Sequence, residues 1–372
     1  MKYILQVYSG DRHTSGFRTD EITDRIKAIA SGIKIDQVII GWGTDAAAYR
    51  KIGAFLHGAG IRMILWLPVF SEAGEELRPD RATDIFGQPV AAPDGQPDDA
   101  FHFVCPSSAH NAQIVKDAYE RYFSDCGFDG VFLDRVRGQS FAAGISGVLS
   151  CACANCRKAF QQKGVDIREV RQLYEEQGDA FFDVASWPMN GEFTLERPQA
   201  QRFFEAREEI IADAVTDIIR SFKSKGLIVG LDLFAPVVSR IVGQNYSLLA
   251  GKADFIKPML YRRTEAPAGI GYEYALLRRH APGARGIPAL SMDRAFLDSQ
   301  LRAVADLPCE IYPGVEINYD EELVRTDPAY IRESLAAIRE HGIEGAALCW
   351  NVMQAPEQFL RTVAEGEKHD RA

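Results

Sequence analysis

Four cysteine residues in this sequence are spaced as the ligands of a metal ion often are. Cys151, Cys153 and Cys156 fall within the short run Cys-Ala-Cys-Ala-Asn-Cys, and Cys105 lies upstream of them. Thiolates suit Zn²⁺, which takes four ligands in a tetrahedron when its role is structural. The chain has seven cysteines, and an odd number argues against a secreted disulfide framework. We therefore predict one structural Zn²⁺ per chain, bound by the triplet and by Cys105.

Three acidic residues lie in or at the end of short apolar segments that are predicted as strands. Asp134 ends Gly-Val-Phe-Leu-Asp, Asp232 lies in Val-Gly-Leu-Asp-Leu-Phe, and Glu316 lies in Tyr-Pro-Gly-Val-Glu-Ile. Two carboxyl groups that face each other across a cleft can hydrolyse a glycosidic bond. We predict that these residues are catalytic. The alternatives are a structural pairing of Asp134 with an arginine, a buried hydrogen-bonding role for Asp232 and a surface position for Glu316.

Further aromatic and polar residues lie near the ends of the predicted strands. Aromatic faces pack against the C–H groups of sugars, while basic and amide groups bind hydroxyls or an acidic substituent. The predicted substrate-binding residues are Tyr8, Trp42, Trp66, Arg135, Arg137, Lys257, Tyr261, Trp350 and Asn351. Core packing is the alternative for any single aromatic residue. Lys257 also leaves open a Schiff-base mechanism, which would make the protein a lyase or an aldolase.

These residues require a fold that brings the ends of several strands together. Short β-branched runs alternate with helical segments along the chain, which is typical of parallel strands joined by helices. The predicted strands are Tyr3–Tyr8, Gln37–Trp42, Arg62–Leu67, Gly130–Asp134, Leu227–Phe234, Asp254–Tyr261, Glu310–Ile317 and Gly345–Asn351. This number of units predicts an α/β fold of the (β/α)8 TIM-barrel type, whose active sites lie at the carboxyl ends of the strands.

Helices are predicted between the strands from the spacing of apolar residues and from capping residues. They are Asp20–Ala30, Ala46–Gly58, Ala109–Ser124, Gln201–Ser224, Ser239–Leu249, Pro328–Glu340 and Pro356–Ala364. Two connections, about 68–108 after the third strand and about 137–198 after the fourth, are longer than barrel loops usually are. Long insertions on this rim usually build a substrate cleft. We predict one barrel domain over residues 1–364 and a flexible charged tail over residues 365–372.

The composition limits the classes of partner. The chain has 372 residues and a formal net charge of −10, so neither a nucleic acid nor an anionic membrane surface is an expected partner. The first residues lack the apolar core of a signal peptide, and no apolar run is long enough to span a bilayer. We therefore expect a cytoplasmic enzyme with a carbohydrate substrate, and the sequence leaves a homo-oligomer open.

The segment around Asp134 resembles a known motif. Phe128–Arg137 reads Phe-Asp-Gly-Val-Phe-Leu-Asp-Arg-Val-Arg, which is similar to the fourth strand of a group of hypothetical TIM-barrel glycoside hydrolases in which an aspartate ends the strand. Val229–Phe234 and Ala253–Tyr261 are similar to the fifth and sixth strands of the same group. The resemblance covers most of the barrel and implies a glycoside hydrolase without specifying the sugar.

The cysteine pattern resembles a different family. An early Cys-Pro at Cys105, followed by Cys-x-Cys-x-x-Cys after the fourth strand, is similar to the structural zinc cluster of family 42 β-galactosidases. That family ends its fourth strand with Asn-Glu, whereas this chain has Leu133 and Asp134 there. The resemblance therefore implies the zinc cluster but not β-galactosidase activity.

The sequence thus predicts a glycoside hydrolase that cleaves a small oligosaccharide or glycoside. Asp134 and either Glu316 or Asp232 would divide the acid/base and nucleophile roles between them. The alternatives are the lyase or aldolase that uses Lys257, and a barrel that binds carbohydrate without catalysis.

Overall fold

The computed structural model of the protein describes residues 1–10, 17–71, 75–90 and 102–369. Within these ranges, eight parallel strands follow each other around a barrel, and we label them β1 to β8 in chain order. Their bounds are Lys2–Tyr8, Ile35–Gly41, Arg62–Pro68, Gly130–Asp134, Ile228–Phe234, Phe255–Met259, the two halves Glu310–Ile311 and Gly314–Glu316 of β7, and Gly345–Cys349. The (β/α)8 barrel predicted from the sequence is confirmed.

The barrel closes through β7, which is interrupted at Tyr312 and Pro313. The first half of β7 pairs with β6 and the second half pairs with β8, in both cases in parallel. The Tyr312 N–H donates to the Ile256 carbonyl at 2.9 Å, and the Ala347 N–H donates to the Pro313 carbonyl at 3.0 Å. Because proline has no N–H to offer a neighbouring strand, a break in regular pairing is expected at this residue.

Large aromatic side chains fill the barrel interior, and a glycine on a neighbouring strand makes room for one of them. Phe132 and Phe255 stack with their ring centroids 5.9 Å apart. A Cβ atom at Gly230 would lie 2.1 Å from the Phe255 ring, so no larger residue fits there. The interior is therefore a packed core, and a ligand can approach only the ends of the strands.

Helices cover the outside of the barrel and also occupy the long connections. Their bounds are α1 Thr19–Ala30, α2 Ala46–Gly58, α3 Ala109–Tyr122, α4 Gly144–Val148, α5 Ala154–Gln162, α6 Ile167–Gln177, α7 Pro198–Lys223, α8 Pro236–Ser239, α9 Tyr246–Leu249, α10 Ile270–His280, α11 Arg294–Arg302, α12 Pro328–Glu340 and α13 Glu357–His369. The bounds of α2 and α12 match the prediction, because Asp45 and Asp327 cap their first turns. No helix in the described part of the chain is long and apolar enough to cross a membrane.

The predicted helix Ser239–Leu249 is wrong. The chain forms the short helices α8 and α9 instead, with a 3₁₀ turn at Arg240–Val242 between them. Gly243 follows this turn with a φ of +76°, a left-handed conformation that ends a helix and favours glycine. The Asn245 side chain then accepts a hydrogen bond from the Leu248 N–H and starts α9 as a separate element.

In the segment predicted as a flexible tail, residues 365–372, α13 continues as far as His369. Glu367 is buried in this helix and accepts hydrogen bonds from the Tyr3 hydroxyl at 2.8 Å and from Arg339 at 3.0 Å. The charged residue Glu367 therefore helps to attach α13 to the rest of the protein, which the number of charged residues in the segment does not predict. Residues 370–372 lie outside the described part of the chain.

The two long insertions are present, between β3 and α3 and between β4 and α7. Residues 72–74 and 91–101 of the first insertion lie outside the described part. The second insertion contains α4, α5, α6 and a hairpin formed by Val184–Ser186 and Thr194–Leu195. The insertions are joined to each other, since the Ala152 N–H donates to the Thr83 carbonyl at 2.7 Å and Ser146 donates to Asp84 at 2.7 Å.

Candidate active site and candidate metal centre

Asp134 ends β4 at the mouth of the barrel, where its side chain is partly exposed. Its Oδ2 atom accepts a hydrogen bond from the Trp66 indole N–H at 2.9 Å. Its Oδ1 atom accepts a hydrogen bond from the Arg135 backbone N–H at 2.6 Å. Two N–H donors therefore hold this carboxylate in one orientation while part of it stays open to solvent.

Asp232 lies on the neighbouring strand β5 and is only 3% exposed. Its Oδ2 atom lies 3.0 Å from Nζ of Lys257, its register partner on β6, and its Oδ1 atom has no hydrogen-bond partner among the described residues. Burial raises the pKa of Asp232 to about 7, Lys257 opposes this rise, and nearby Asp134 adds to it. A carboxyl group that exchanges its proton near neutral pH suits general acid or base catalysis.

Lys257 is a buried cation whose three donor positions are all used. Its Nζ atom lies 3.0 Å from Asp232 Oδ2, from Gln6 Oε1 and from the Tyr261 hydroxyl. Although burial lowers the pKa of Lys257, Asp232 and Asp134 help to raise it above the usual value. Lys257 and Tyr261 are both buried, so they lie below the mouth, where Lys257 contacts Asp232 and the Tyr261 hydroxyl accepts from Lys257.

Among the described residues, the hydrogen bonds of Glu316 are made with groups other than Asp134, Asp232 and Lys257. Glu316 is completely buried and accepts hydrogen bonds from the Arg262 N–H at 3.0 Å, the Arg263 N–H at 3.1 Å and the Thr264 hydroxyl at 2.6 Å. The hydroxyl of Tyr330, on α12 outside the barrel, donates to Glu316 as well. Burial raises the pKa of Glu316, and these donors oppose the rise. These contacts hold the segment after β6 against β7 and α12.

Three aromatic residues form a wall beside Asp134. The ring centroids of Trp42 and Trp66 lie 5.5 Å apart, and those of Tyr8 and Trp42 lie 5.6 Å apart, both in edge-to-face geometry. Tyr8 is 42% exposed at the mouth. Tyr8 ends β1, Trp42 follows β2 and Trp66 lies two residues before the end of β3, so aromatic residues from three successive strands meet here.

Trp350 and Asn351 follow β8 and are held by Asn318, which follows β7. The Asn318 Oδ1 atom accepts hydrogen bonds from the Trp350 N–H at 2.6 Å and from the Asn351 N–H at 3.1 Å. Asn351 Oδ1 in turn accepts a hydrogen bond from the Tyr8 N–H at 3.4 Å. The Asn351 amide oxygen is therefore engaged in positioning the mouth, and Trp350 stays partly exposed there.

Arg135 and Arg137 are buried and contact protein groups. Arg135 has a φ of +53°, donates to the Ser71 hydroxyl at 2.9 Å and lies over the Trp42 ring at 4.7 Å. Arg137 lies between the rings of Phe103 and Phe234, at 4.7 and 4.6 Å. Burial lowers the pKa of Arg137 to about 10, so it remains a cation at neutral pH. Both side chains therefore support the segment after Asp134.

The four predicted metal ligands converge in one place. The Sγ atoms of Cys105, Cys151, Cys153 and Cys156 all lie within 4.8 Å of one another. Cys105 Sγ is 3.4 Å from Cys156 Sγ and 3.2 Å from Cys153 Sγ. In a tetrahedral Zn²⁺ site with Zn–S bonds of about 2.3 Å, the sulfur atoms are about 3.8 Å apart. The four thiols are therefore arranged as a group that could hold a metal ion.

Several residues with roles at the mouth were missed in the sequence. Gln6 and Asn318 contact Lys257 and the residues after β8, and Glu273 of α10 lies near Arg137. Burial raises the pKa of Glu273, and Arg137 opposes the rise. The signal for Gln6 is a polar residue inside the apolar run of β1. The signal for Glu273 is an acidic residue among buried apolar positions of an amphipathic helix.

Comparisons with known proteins show the fold of this chain. No protein-family model matches the sequence, and no curated protein matches it. The glycoside hydrolase domain of PgaB (BpsB) from Bordetella bronchiseptica aligns with a TM-score of 0.59 at 13% identity, over 98% of this chain and 96% of that one. At this level of identity the likeness concerns the barrel architecture.

Two further solved structures share the architecture. The α-L-fucosidase isoenzyme 2 from Paenibacillus thiaminolyticus aligns with a TM-score of 0.56 at 13% identity, over 100% of this chain and 49% of that one. The spore cortex-lytic enzyme SleL from Bacillus megaterium QM B1551 aligns with a TM-score of 0.50 at 10% identity, over 98% of this chain and 73% of that one. The predicted resemblance to family 42 β-galactosidases is not tested by these structures.

Proposed function

We propose that this protein is a glycoside hydrolase in which Asp134 and Asp232 supply the two carboxyl groups. The observation that carries the proposal is that two neighbouring carboxyl groups have different environments beside an aromatic wall. Catalytic pairs of this kind commonly divide their roles because their surroundings separate their pKa values. The structural likeness to a glycoside hydrolase domain and to a fucosidase supports the same class of chemistry.

The surroundings suggest a role for each residue. Asp134 is the partly exposed group, and its two N–H donors suit a carboxylate that stabilises or attacks the anomeric carbon. Asp232 has a pKa of about 7 because it is buried, so it can hold and release a proton near neutral pH. We assign Asp232 the acid/base role; the sequence left open whether Asp232 or Glu316 is the partner of Asp134, and which member of the pair is the acid/base.

The remaining predicted residues take positioning or binding roles in this proposal. Tyr8, Trp42, Trp66 and Trp350 would contact the sugar, because each is at least partly exposed near the mouth. Arg135, Arg137, Asn351 and Tyr261 would hold the mouth in shape. We propose carbohydrate as the partner because of these aromatic residues, and the cytoplasm as the location because of the odd number of cysteines.

The Schiff-base alternative is less favoured by the contacts of Lys257. A nucleophilic amine must be reached by a carbonyl substrate and must lose its proton. The pKa of Lys257 is raised and its three donor positions have partners, so this amine keeps its proton. Borohydride trapping with candidate carbonyl substrates would revive this alternative if it labelled Lys257.

The test is the substitution Asp134→Asn, assayed with a panel of nitrophenyl glycosides and oligosaccharides. We expect kcat to fall by about 10²- to 10⁴-fold on any substrate that the wild type cleaves, as removal of a catalytic carboxylate does. Ligand binding, followed by the fluorescence of the adjacent Trp66, should persist because the amide keeps the shape of the carboxylate.

Asp125→Asn is the matched control, because Asp125 is an exposed aspartate after α3, away from the mouth. Wild-type turnover by Asp134→Asn would contradict the proposed role of Asp134. Binding of sugar by a wild type that cleaves none of the panel would favour the carbohydrate-binding alternative.

We also propose that the cysteine cluster binds one structural Zn²⁺. The four thiols supply the soft donors that Zn²⁺ prefers, and three of them are buried. Four protein ligands close the tetrahedron and leave no position for a reactive water, so this site would hold the insertions together rather than take part in hydrolysis.

A further inference from the structure

Two buried arginines line the same small cavity as the cysteine cluster. The cavity has a volume of about 20 Å³ and lies between the two insertions, and its lining includes Arg137, Arg207, Cys151 and Cys156. Arg207 lies on α7 and is 2% exposed, and Arg137 is 6% exposed. Two cations at this depth require opposite charge nearby, because an uncompensated buried charge is costly.

No carboxylate among the described residues accepts a hydrogen bond from Arg207. Its guanidinium donates to the Ile241 carbonyl at 2.8 Å and to the Gln139 carbonyl at 2.9 Å. Its Nε atom has no hydrogen-bond partner among the described residues. The acidic residue beside it, Glu208, is engaged by Arg240 and by Asn245. Glu208 is therefore a counter-charge that Arg207 shares with Arg240, and any further counter-charge has to come from another group around the cavity.

The cysteine cluster supplies that charge when it holds a divalent metal. A divalent cation with four thiolates has a net charge of 2 − 4 = −2, whereas four thiols or two disulfides are neutral. Arg137 has three acidic neighbours in Glu273, Asp134 and Asp232, whereas the acidic neighbour of Arg207 is Glu208, which also binds Arg240. Cys151 and Cys156 line the same cavity as Arg207, which places these two cysteines close to its guanidinium.

We propose that Arg207 is the counter-cation of a divalent metal–tetrathiolate cluster, and that it ties this cluster to the segment that follows Asp134. The inference rests on the metal-binding part of the proposed function. Gln139, which accepts from Arg207, lies five residues after Asp134, and a Cβ atom at Gly138 would be 2.2 Å from the Arg207 guanidinium. Arg207 is thus packed directly against the segment after β4.

A second connection reaches the same segment from Cys105. The Val104 N–H donates to the Phe70 carbonyl at 2.9 Å, and the Val69 N–H donates to the Asp134 carbonyl at 2.9 Å. The two connections start from different ligands of the cluster and meet at the backbone around Asp134. Metal loading is therefore expected to determine how firmly this catalytic segment is held.

The experiment measures zinc affinity, by competition with a chromogenic chelator, in the wild type and in Arg207→Met. Methionine keeps much of the volume of arginine without its charge, so we expect affinity to fall about 10- to 100-fold, as is typical when a group that supports metal ligands is lost. Arg207→Lys should recover part of the affinity because it restores the positive charge. Arg220→Met is the matched control, since Arg220 lies on the same helix with 73% of its side chain exposed.

The outcomes separate this inference from the proposals beneath it. A wild type that binds no metal would remove the cluster proposal, and with it the inference. If the wild type binds zinc and Arg207→Met binds it with the same affinity, only the proposed role of Arg207 would be overturned. None of these readouts depends on glycosidase activity.

If Arg207→Met does not fold, hydrogen exchange of the wild-type protein tests the same inference. Removal of zinc should speed amide exchange at Gly138, whose N–H donates to the Val242 carbonyl at 2.8 Å, while amides in β1 should exchange as before. Unchanged exchange at Gly138 after complete zinc removal would contradict the proposed connection.

Discussion

At the scale of single residues, Asp134 and Asp232 show how position changes the chemistry of one side-chain type. Asp134 is partly exposed and accepts two N–H donors, whereas Asp232 is buried with one oxygen beside Lys257. Burial makes the charged form of Asp232 costly, so its pKa rises to about 7. The two environments differ because Asp134 is the last residue of β4, whereas Asp232 lies two residues before the end of β5.

The pKa of Asp232 predicts how stability depends on pH. The folded value of about 7 lies above the unfolded value of about 3.9, so the folded state binds more protons between these limits. The free energy of unfolding therefore falls as pH rises from about 4 to about 7. Asp232→Asn removes this contribution, so the stability of the variant relative to that of the wild type should rise by about 3 kcal/mol between pH 5 and pH 8.5.

Urea denaturation at pH 5 and at pH 8.5 measures this difference. Asp125→Asn serves again as the control, because its exposed carboxylate should leave the pH dependence as it is in the wild type. The same stability difference between Asp232→Asn and the wild type at both pH values would contradict the raised pKa.

At the scale of secondary-structure elements, Glu316 shows the limit of counting strand ends. The sequence places Glu316 near the end of β7, where catalytic carboxylates of barrels lie. Its contacts are instead with the segment 262–264 and with Tyr330 of α12. Glu316 therefore joins three elements, and we assign it a structural role.

Glu316→Gln should lower stability more than activity. The amide can accept fewer hydrogen bonds than the carboxylate and leaves buried donors without partners, so we expect a loss of about 2–4 kcal/mol in the free energy of unfolding. Any glycosidase activity, assayed well below the unfolding temperature, should stay within a few-fold of the wild type. Glu321→Gln, at an exposed position in the following hairpin, is the control.

A loss of turnover by Glu316→Gln as large as that of Asp134→Asn, in folded protein, would return Glu316 to the catalytic pair. Thermal denaturation of each variant before the assay ensures that the comparison concerns folded enzyme.

The elements themselves were largely predictable from local signals. Gly130–Asp134, Ala46–Gly58 and Pro328–Glu340 have the predicted bounds, because apolar runs and capping residues mark them. The face to which a side chain points was less predictable. Pro313 interrupts β7, so alternation along that strand could not be counted through to Glu316.

At the same scale, burial separates the predicted substrate-binding residues at the mouth from those that lie below it. Arg137 and Lys257 are charged residues near strand ends, which suggested contact with substrate. Their guanidinium and ammonium groups are instead surrounded by aromatic rings and by acidic residues. Such partners come from distant parts of the chain, and no local pattern in the sequence reports them.

At the scale of the whole molecule, the cysteine cluster joins insertions that leave the barrel at different strands. Cys105 comes from the insertion after β3, and the other three cysteines come from the insertion after β4. Their spacing made the cluster predictable, since three ligands lie within six residues. The hydrogen bonds between the insertions were not predictable, because they depend on how two long loops fold together.

Purified protein should contain about one zinc per chain, and its removal should lower the unfolding temperature because metal binding stabilises only the folded state. Cys153→Ser should reduce both zinc content and stability. Cys309 lies outside the cluster, so Cys309→Ser should change neither the zinc content nor the effect of chelator on the unfolding temperature. Mass spectrometry of metal content and thermal denaturation with and without chelator measure these effects. Full stability after loss of the metal would contradict a structural role.

The interrupted strand β7 is paired less extensively with its neighbours than β1 is with β2. It shares only two register pairs with β6 and three with β8, whereas β1 and β2 share six. Local opening of the barrel should therefore begin between β7 and its two neighbours, where the strands share the fewest register pairs. The two aspartates lie on β4 and β5, away from β7, so they would keep their mutual alignment while the opposite wall loosens.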